Sequence, residues 1–146
     1  MCCRIHFPKL VNQSICQSCG LKSKRCGNDM NFARWVFRIA AVYGVIALLP
    51  MYWLERQIGQ DQPPAITHPE FFYGFVGVAL AWQTVFWMIG QDPARYRLLM
   101  LPAVLEKATF SIATFVLYAQ ERLHVPMLIA GSIDFVLGLL FAISYW

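Results

Sequence analysis

Four stretches of this chain are apolar around every face a helix would present, and the polar positions gather between them. The stretches run over about residues 35–54, 71–90, 98–118 and 127–146. Each is close to the 20 or so residues that a helix needs to cross roughly 30 Å of hydrocarbon. A soluble bundle would show a polar face recurring at period 3.6, and none of these stretches has one. Pro63, Pro64, Pro69, Pro93 and Pro126 fall in the connectors, where proline suits a turn or a helix start. Trp35, Tyr52, Trp53, Tyr73, Trp87, Tyr96, Tyr118, Tyr145 and Trp146 gather near the ends of the stretches, as an interfacial aromatic belt requires. The pattern predicts an all-α fold, an integral membrane four-helix bundle.

The exceptions inside the stretches carry the chemistry. In "LPAVLEKATFSIATF", Glu106 and Lys107 sit side by side in the third span. About ten Leu, Ile, Val and Phe residues favour insertion of such a helix by roughly 0.3 to 0.6 kcal/mol each. A central charge costs about 2.5 to 3.5 kcal/mol on the same kind of scale. The two contributions nearly cancel, so this helix needs neighbours that face its polar residues. Counting from the span ends at about 1.5 Å per residue, Tyr43, Gln83 and Glu106 fall near one depth, with Asp134 about 6 to 8 Å further toward the far end. The stem of Lys107 is long enough to reach toward Asp134. Glu106 and Lys107 leave the helix about 100° apart, so each is expected to find its own partner.

Small residues give the expected contact faces: Ala40, Gly44 and Ala47 beside Tyr43; Gly74, Gly77 and Ala81; and Gly131, Gly138 and Ala142 beside Asp134. Pro102, one turn before Glu106, is expected to kink the third span. His68 and Glu70 either start the second helix or cap the mouth of a site.

Composition adds a division. The chain has 146 residues, 58% of them hydrophobic and 14% charged, with net charge +4. Soluble domains carry about 25% charged residues. Seven of the twelve Lys and Arg precede residue 39, and all five cysteines fall in the first 26 residues. Residues 1–29 therefore form a cysteine-rich basic segment distinct from a four-span domain over 30–146. Cys3, His6, Cys16 and Cys19 are a candidate zinc set, since the C-x2-C pair lets one turn supply two ligands. The segment also reads as a disordered tail with reactive or acylated thiols, or as an extension upstream of a start at Met30. On the last two readings it is dispensable. It has no continuous apolar region of the kind a signal peptide uses. Arg34, Arg38, Arg95 and Arg97 share one side of the predicted topology, against Arg56 and Arg122 on the other. The positive-inside rule then places both termini in the cytoplasm.

From Met30 onward, "THPEFFYGFVGVALAWQ", "DPARYR" and "LPAVLEK" resemble a family of small bacterial four-span proteins of the inner (plasma) membrane to which no activity is assigned. In layout the chain is also loosely similar to the four-helix membrane superfamily of sterol isomerases and sigma-2-type receptors. That likeness is architectural, and implies carboxylates buried in a lipid-accessible pocket. No P-loop, nucleophile elbow, H-E-x-x-H or dinucleotide fingerprint occurs, and no cofactor or nucleic-acid partner is implied.

Three functions are open on the sequence. The first is a membrane protein that binds a lipid-like or small apolar ligand, or supports a larger complex, with Tyr43, Trp82, Gln83, Glu106 and Asp134 around the ligand. The second is an isomerase-like lipid enzyme, with Glu106 or Asp134 moving a proton and Lys107 or Trp82 stabilising developing charge. The third is a small transporter acting as a homodimer.

Overall fold

The structure, a computed structural model, describes the backbone of residues 20–61 and 65–146, with side chains from Met30 onward in those ranges. The described residues are helical almost throughout. Helix α1 covers Gly20–Leu48, α2 Met51–Asp61, α3 Pro69–Gln91, α4 Met100–Ala119 and α5 Val125–Tyr145, with a 3-10 turn over Arg97–Leu99 leading into α4. Four segments are long and apolar enough to span a bilayer: Met30–Leu48, Pro69–Gln91, Arg97–Ala119 and Val125–Tyr145. The chain is a multi-pass membrane protein with an all-α, four-helix transmembrane bundle. Helix α1 is continuous through Met30, the point at which the composition changes.

The first span differs from the expected 35–54. It stops at Leu48, and a separate helix begins at Met51. Pro50 is the cause, because it has no N–H to donate and its ring clashes with the carbonyl four residues back. Leu49 N–H still reaches Val45 O at 2.9 Å, after which the bonds reach back three residues instead of four, from Tyr52 N–H to Leu49 O and from Trp53 N–H to Pro50 O. Pro102 has no such effect. It lies in the first turn of α4, where backbone N–H groups lack intrahelical partners anyway. Pro69 and Pro126 sit in the first turns of α3 and α5, as expected.

The helix ends are closed by identifiable groups. At the end of α4, Glu121 adopts φ 57°, a left-handed conformation usually taken by glycine. Its N–H bonds Tyr118 O at 2.9 Å, and Arg122 N–H bonds Leu117 O at 3.0 Å, the paired bonds of a Schellman stop. Arg38 donates from Nε to Gly90 O and from Nη2 to Gln91 Oε1, capping α3. Arg97 donates to Tyr145 O and stacks on the Tyr145 ring, capping α5.

The spans alternate in direction. Arg34, Arg38, Arg95 and Arg97 therefore share one end, here called the arginine end. Helix α1 packs mainly on α3 and α4 on α5, while α1 touches α5 more lightly and α3 barely meets α4. Near the arginine end the two pairs close on an aromatic centre. Phe37 stacks on Phe141 with ring centroids 4.1 Å apart, and Phe86 meets Phe141 edge-on at 5.0 Å. Ala33, Ala40, Ile89, Met100 and Ala103 complete this core.

Two of the three small-residue stripes make the expected contacts. A Cβ at Gly44 would collide with the Gln83 carboxamide, and one at Gly131 with the Thr114 hydroxyl. A Cβ at Gly138 would lie 3.3 Å from Lys107 Cβ. The stripe on α3 does not follow suit. Gly74 faces open space, Gly77 meets only the Tyr52 hydroxyl, and Ala81 is exposed. Helix α3 instead buries Val76, Ala79, Gln83, Phe86 and Gly90, which share the opposite face at helical spacing. Large apolar side chains such as Ile46, Val78 and Leu105 point outward, more than three-fifths exposed, as lipid contact requires.

Candidate functional site

Away from the arginine end the two helix pairs part and enclose a cavity of about 220 Å³. Its walls come from all four spans and from the first residue of α2. Helix α1 supplies Ala40, Tyr43, Gly44, Ala47 and Leu48; α2 supplies Met51; and α3 supplies Phe75, Ala79 and Gln83. Helix α4 adds Glu106, Lys107 and Phe110, and α5 adds Met127, Ala130, Asp134 and Leu137. Phe75 and Phe110, stacked at 6.1 Å, close the side where α3 and α4 otherwise barely touch.

The structure thus brings together five of the six residues singled out in the sequence: Tyr43, Gln83, Glu106, Lys107 and Asp134. Trp82 is not among them. It leaves α3 about 100° from Gln83 and leans on the aromatic core, 6.1 Å from Phe86.

Lys107 is the centre of the polar end. It is 6% exposed, and its Nζ donates to Asp134 Oδ2 at 3.1 Å. The same Nζ lies 3.4 Å from Glu106 Oε2 and 5.3 Å from the centroid of Phe86. The expectation that Glu106 and Lys107 each find a separate partner is therefore corrected. The flexible lysine stem curls back, so one ammonium bridges both carboxylates. The Glu106 contact is an ion pair by distance only. It lacks hydrogen-bond geometry, and Glu106 Oε2 is buried with no hydrogen-bond partner among the described residues.

The other buried polar groups are mostly spent on their own helices. Ser111 Oγ donates to Lys107 O and Thr114 Oγ1 to Ser111 O, each at 2.8 Å. Gln83 Nε2 donates to Ala79 O at 2.8 Å. Its carboxamide rests on Gly44, which leaves the buried Oε1 without a partner. The 2.8 Å bond fixes the amide orientation, since the flipped form would oppose two oxygens.

His68 and Glu70 start α3 rather than line the cavity. His68 is its N-cap residue, with Nδ1 3.2 Å from Glu70 Oε1, both well exposed. The candidate zinc residues Cys3, His6, Cys16 and Cys19 lie outside the described residues. Among the described residues, no three His, Cys, Asp or Glu side chains come together as metal ligands would. A second depression, of about 420 Å³ along Leu128, Ser132 and Val136, is an open groove on the lipid face of α5. Its one hydroxyl, Ser132, donates to its own helix at Leu128 O.

Sequence reasoning missed most of the apolar wall: Leu48, Met51, Phe75, Phe110, Met127, Ala130 and Leu137. A usable signal exists for α5, because Met127, Ala130, Asp134 and Leu137 fall on one face at spacings of three and four. For Phe110 the signal is its place one turn beyond Glu106. Comparison with family models, curated proteins and solved structures finds no match to this chain.

Proposed function

We propose that this membrane protein holds a small apolar, lipid-like ligand between its helices. The observation that carries the reading is the cavity, an apolar chamber walled by Tyr43, Phe75, Phe110, Met127 and Leu137, with its ionisable groups gathered around Lys107. Binding sites for small molecules are concave and mostly apolar, with a few placed polar groups that orient the ligand. The volume suits a head group or a short chain, with the remainder passing between α3 and α4, where the helices are joined by little more than the Phe75–Phe110 stack. Four arginines at one end against two at the other support an orientation with both ends of the chain in the cytoplasm. The likeness to sterol isomerases and sigma-2-type receptors enters as architecture alone, and fold does not carry function with it.

Filling the chamber tests the reading. Native mass spectrometry of the purified protein in lipid nanodiscs should detect a retained small molecule or lipid. Ala47→Phe and Ala130→Leu, which add volume to the walls supplied by α1 and α5, should eliminate it while leaving the thermal transition in place. Equal retention in the filled variants would refute the reading.

A lipid enzyme working by proton transfer is the second reading, favoured by the convergence of Glu106 and Asp134 on one chamber. Glu106→Gln should abolish turnover of such a substrate without displacing it.

A further inference from the structure

We infer that the ligand's head group is a cation bearing N–H donors, an alkylammonium rather than an alcohol or an acid. The inference rests on the cavity-binding reading above and deepens it. It comes from counting donors and acceptors at the polar end of the chamber. Among the described residues Lys107 is the one cation there, and its ammonium is already occupied: it bonds Asp134, faces Glu106 and lies against the Phe86 ring. Gln83 spends its amide donor on Ala79 O.

The acceptors are in surplus. Glu106 accepts no side-chain hydrogen bond from any described residue, and Asp134 uses one oxygen of two. Gln83, 3% exposed, lines the same chamber, and its Oε1 is buried and unpartnered over Gly44. Tyr43 carries the remaining polar group on the wall, a hydroxyl that both donates and accepts.

The charges point the same way. With both carboxylates ionised, two against one ammonium leave a formal charge of −1 inside the bilayer, which a proton or a bound cation must balance. An anionic head would add to that charge and meet acceptors. A neutral hydroxyl would satisfy one acceptor and leave the charge. An ammonium brings several donors and the missing positive charge at once. Its chain would lie along Phe75, Phe110 and Met127.

The test uses the full chain in phosphatidylcholine nanodiscs and three probes of equal chain length: decylammonium, decanol and decanoate. Binding is measured by saturation on the protein, after subtraction of partitioning into empty discs. Decylammonium should saturate at one per chain and bind at least tenfold more tightly than decanol, and decanoate should not saturate. Glu106→Gln keeps the shape of the side chain. It should weaken decylammonium at least tenfold and decanol far less, since Gln still offers an oxygen to a hydroxyl, with the thermal transition as the control for folding.

Decanol binding as tightly as the ammonium would overturn the inference, and that comparison needs no variant. So would an unchanged ammonium affinity in folded Glu106→Gln. If decanol binds and Ala47→Phe abolishes it, the chamber stands and only the head-group assignment falls. If none of the three probes saturates, and the filled variants retain lipid like the parent, the cavity reading falls as well.

Discussion

At the scale of single residues, the bundle depends on side chains that fit only as a set. Lys107 is the clearest. Removing one member of a buried ion pair strands the other, at about 3 to 5 kcal/mol, whereas replacing the whole set with apolar groups is often near neutral. Lys107→Met should therefore destabilise the detergent-solubilised protein by about that amount. Adding Asp134→Leu should recover only part of the loss, because Glu106 leans on the same ammonium 3.4 Å away. Adding Glu106→Gln as well should recover most of it. Thermal unfolding of the single, double and triple variants measures this, and strictly additive losses would mean that no coupled triad exists. Gly44 makes a second set with Gln83. A methyl group there collides with the carboxamide, so Gly44→Ala should cost about 1 to 3 kcal/mol as overpacking. The combination of Gly44→Ala with Gln83→Ala should be milder than the sum of its parts.

At the scale of elements, α2 is the part held least firmly. It has no buried residue, and it rests on α3 through the Tyr52–Tyr73 stack at 5.7 Å and a bond from Tyr73 Oη to Glu55 Oε2 at 2.6 Å. Breaking one such bond removes about 0.5 to 1.5 kcal/mol, or more where an ionised group is involved. Tyr73→Phe should thus speed hydrogen exchange across α2 several-fold while leaving α4 and α5 unchanged. Uniform acceleration, or none, would contradict a local docking role. This helix was also the least legible in the sequence. Met51, Tyr52, Trp53 and Leu54 read as the end of a span, and the polar residues after them as a loop. The signal lay in Pro50, which sits three residues before Trp53 and ends any helix that reaches it. The four spans were legible because apolar length is a one-dimensional property. The α3 stripe was misread because small residues permit close contact without requiring it: the same helix offers Val76, Ala79, Gln83 and Gly90 on another face, and that face is buried.

At the scale of the whole molecule, the arrangement of charge along the bundle predicts its orientation. Reporter fusions at the two ends of the chain should both be active as cytosolic reporters. A signal from the opposite compartment at the end after Trp146 would mean that one of the four segments does not cross. The candidate site was legible in part. Depth counting brought Tyr43, Gln83, Glu106, Lys107 and Asp134 together, since helix rise is constant and buried charges must meet. It could not show that one lysine serves two acids, because that depends on side-chain conformation. Nor could it show the void itself, which is set by how far two helix pairs part. That void makes the molecule mechanically uneven along its length. The arginine end is filled by interlocked rings and has little volume to give up. The other half encloses the chamber, and pressure favours whatever arrangement shrinks it. Under hydrostatic compression, the methyl resonances of Ala47, Met127 and Ala130 should shift well before those of Ala33 and Met100.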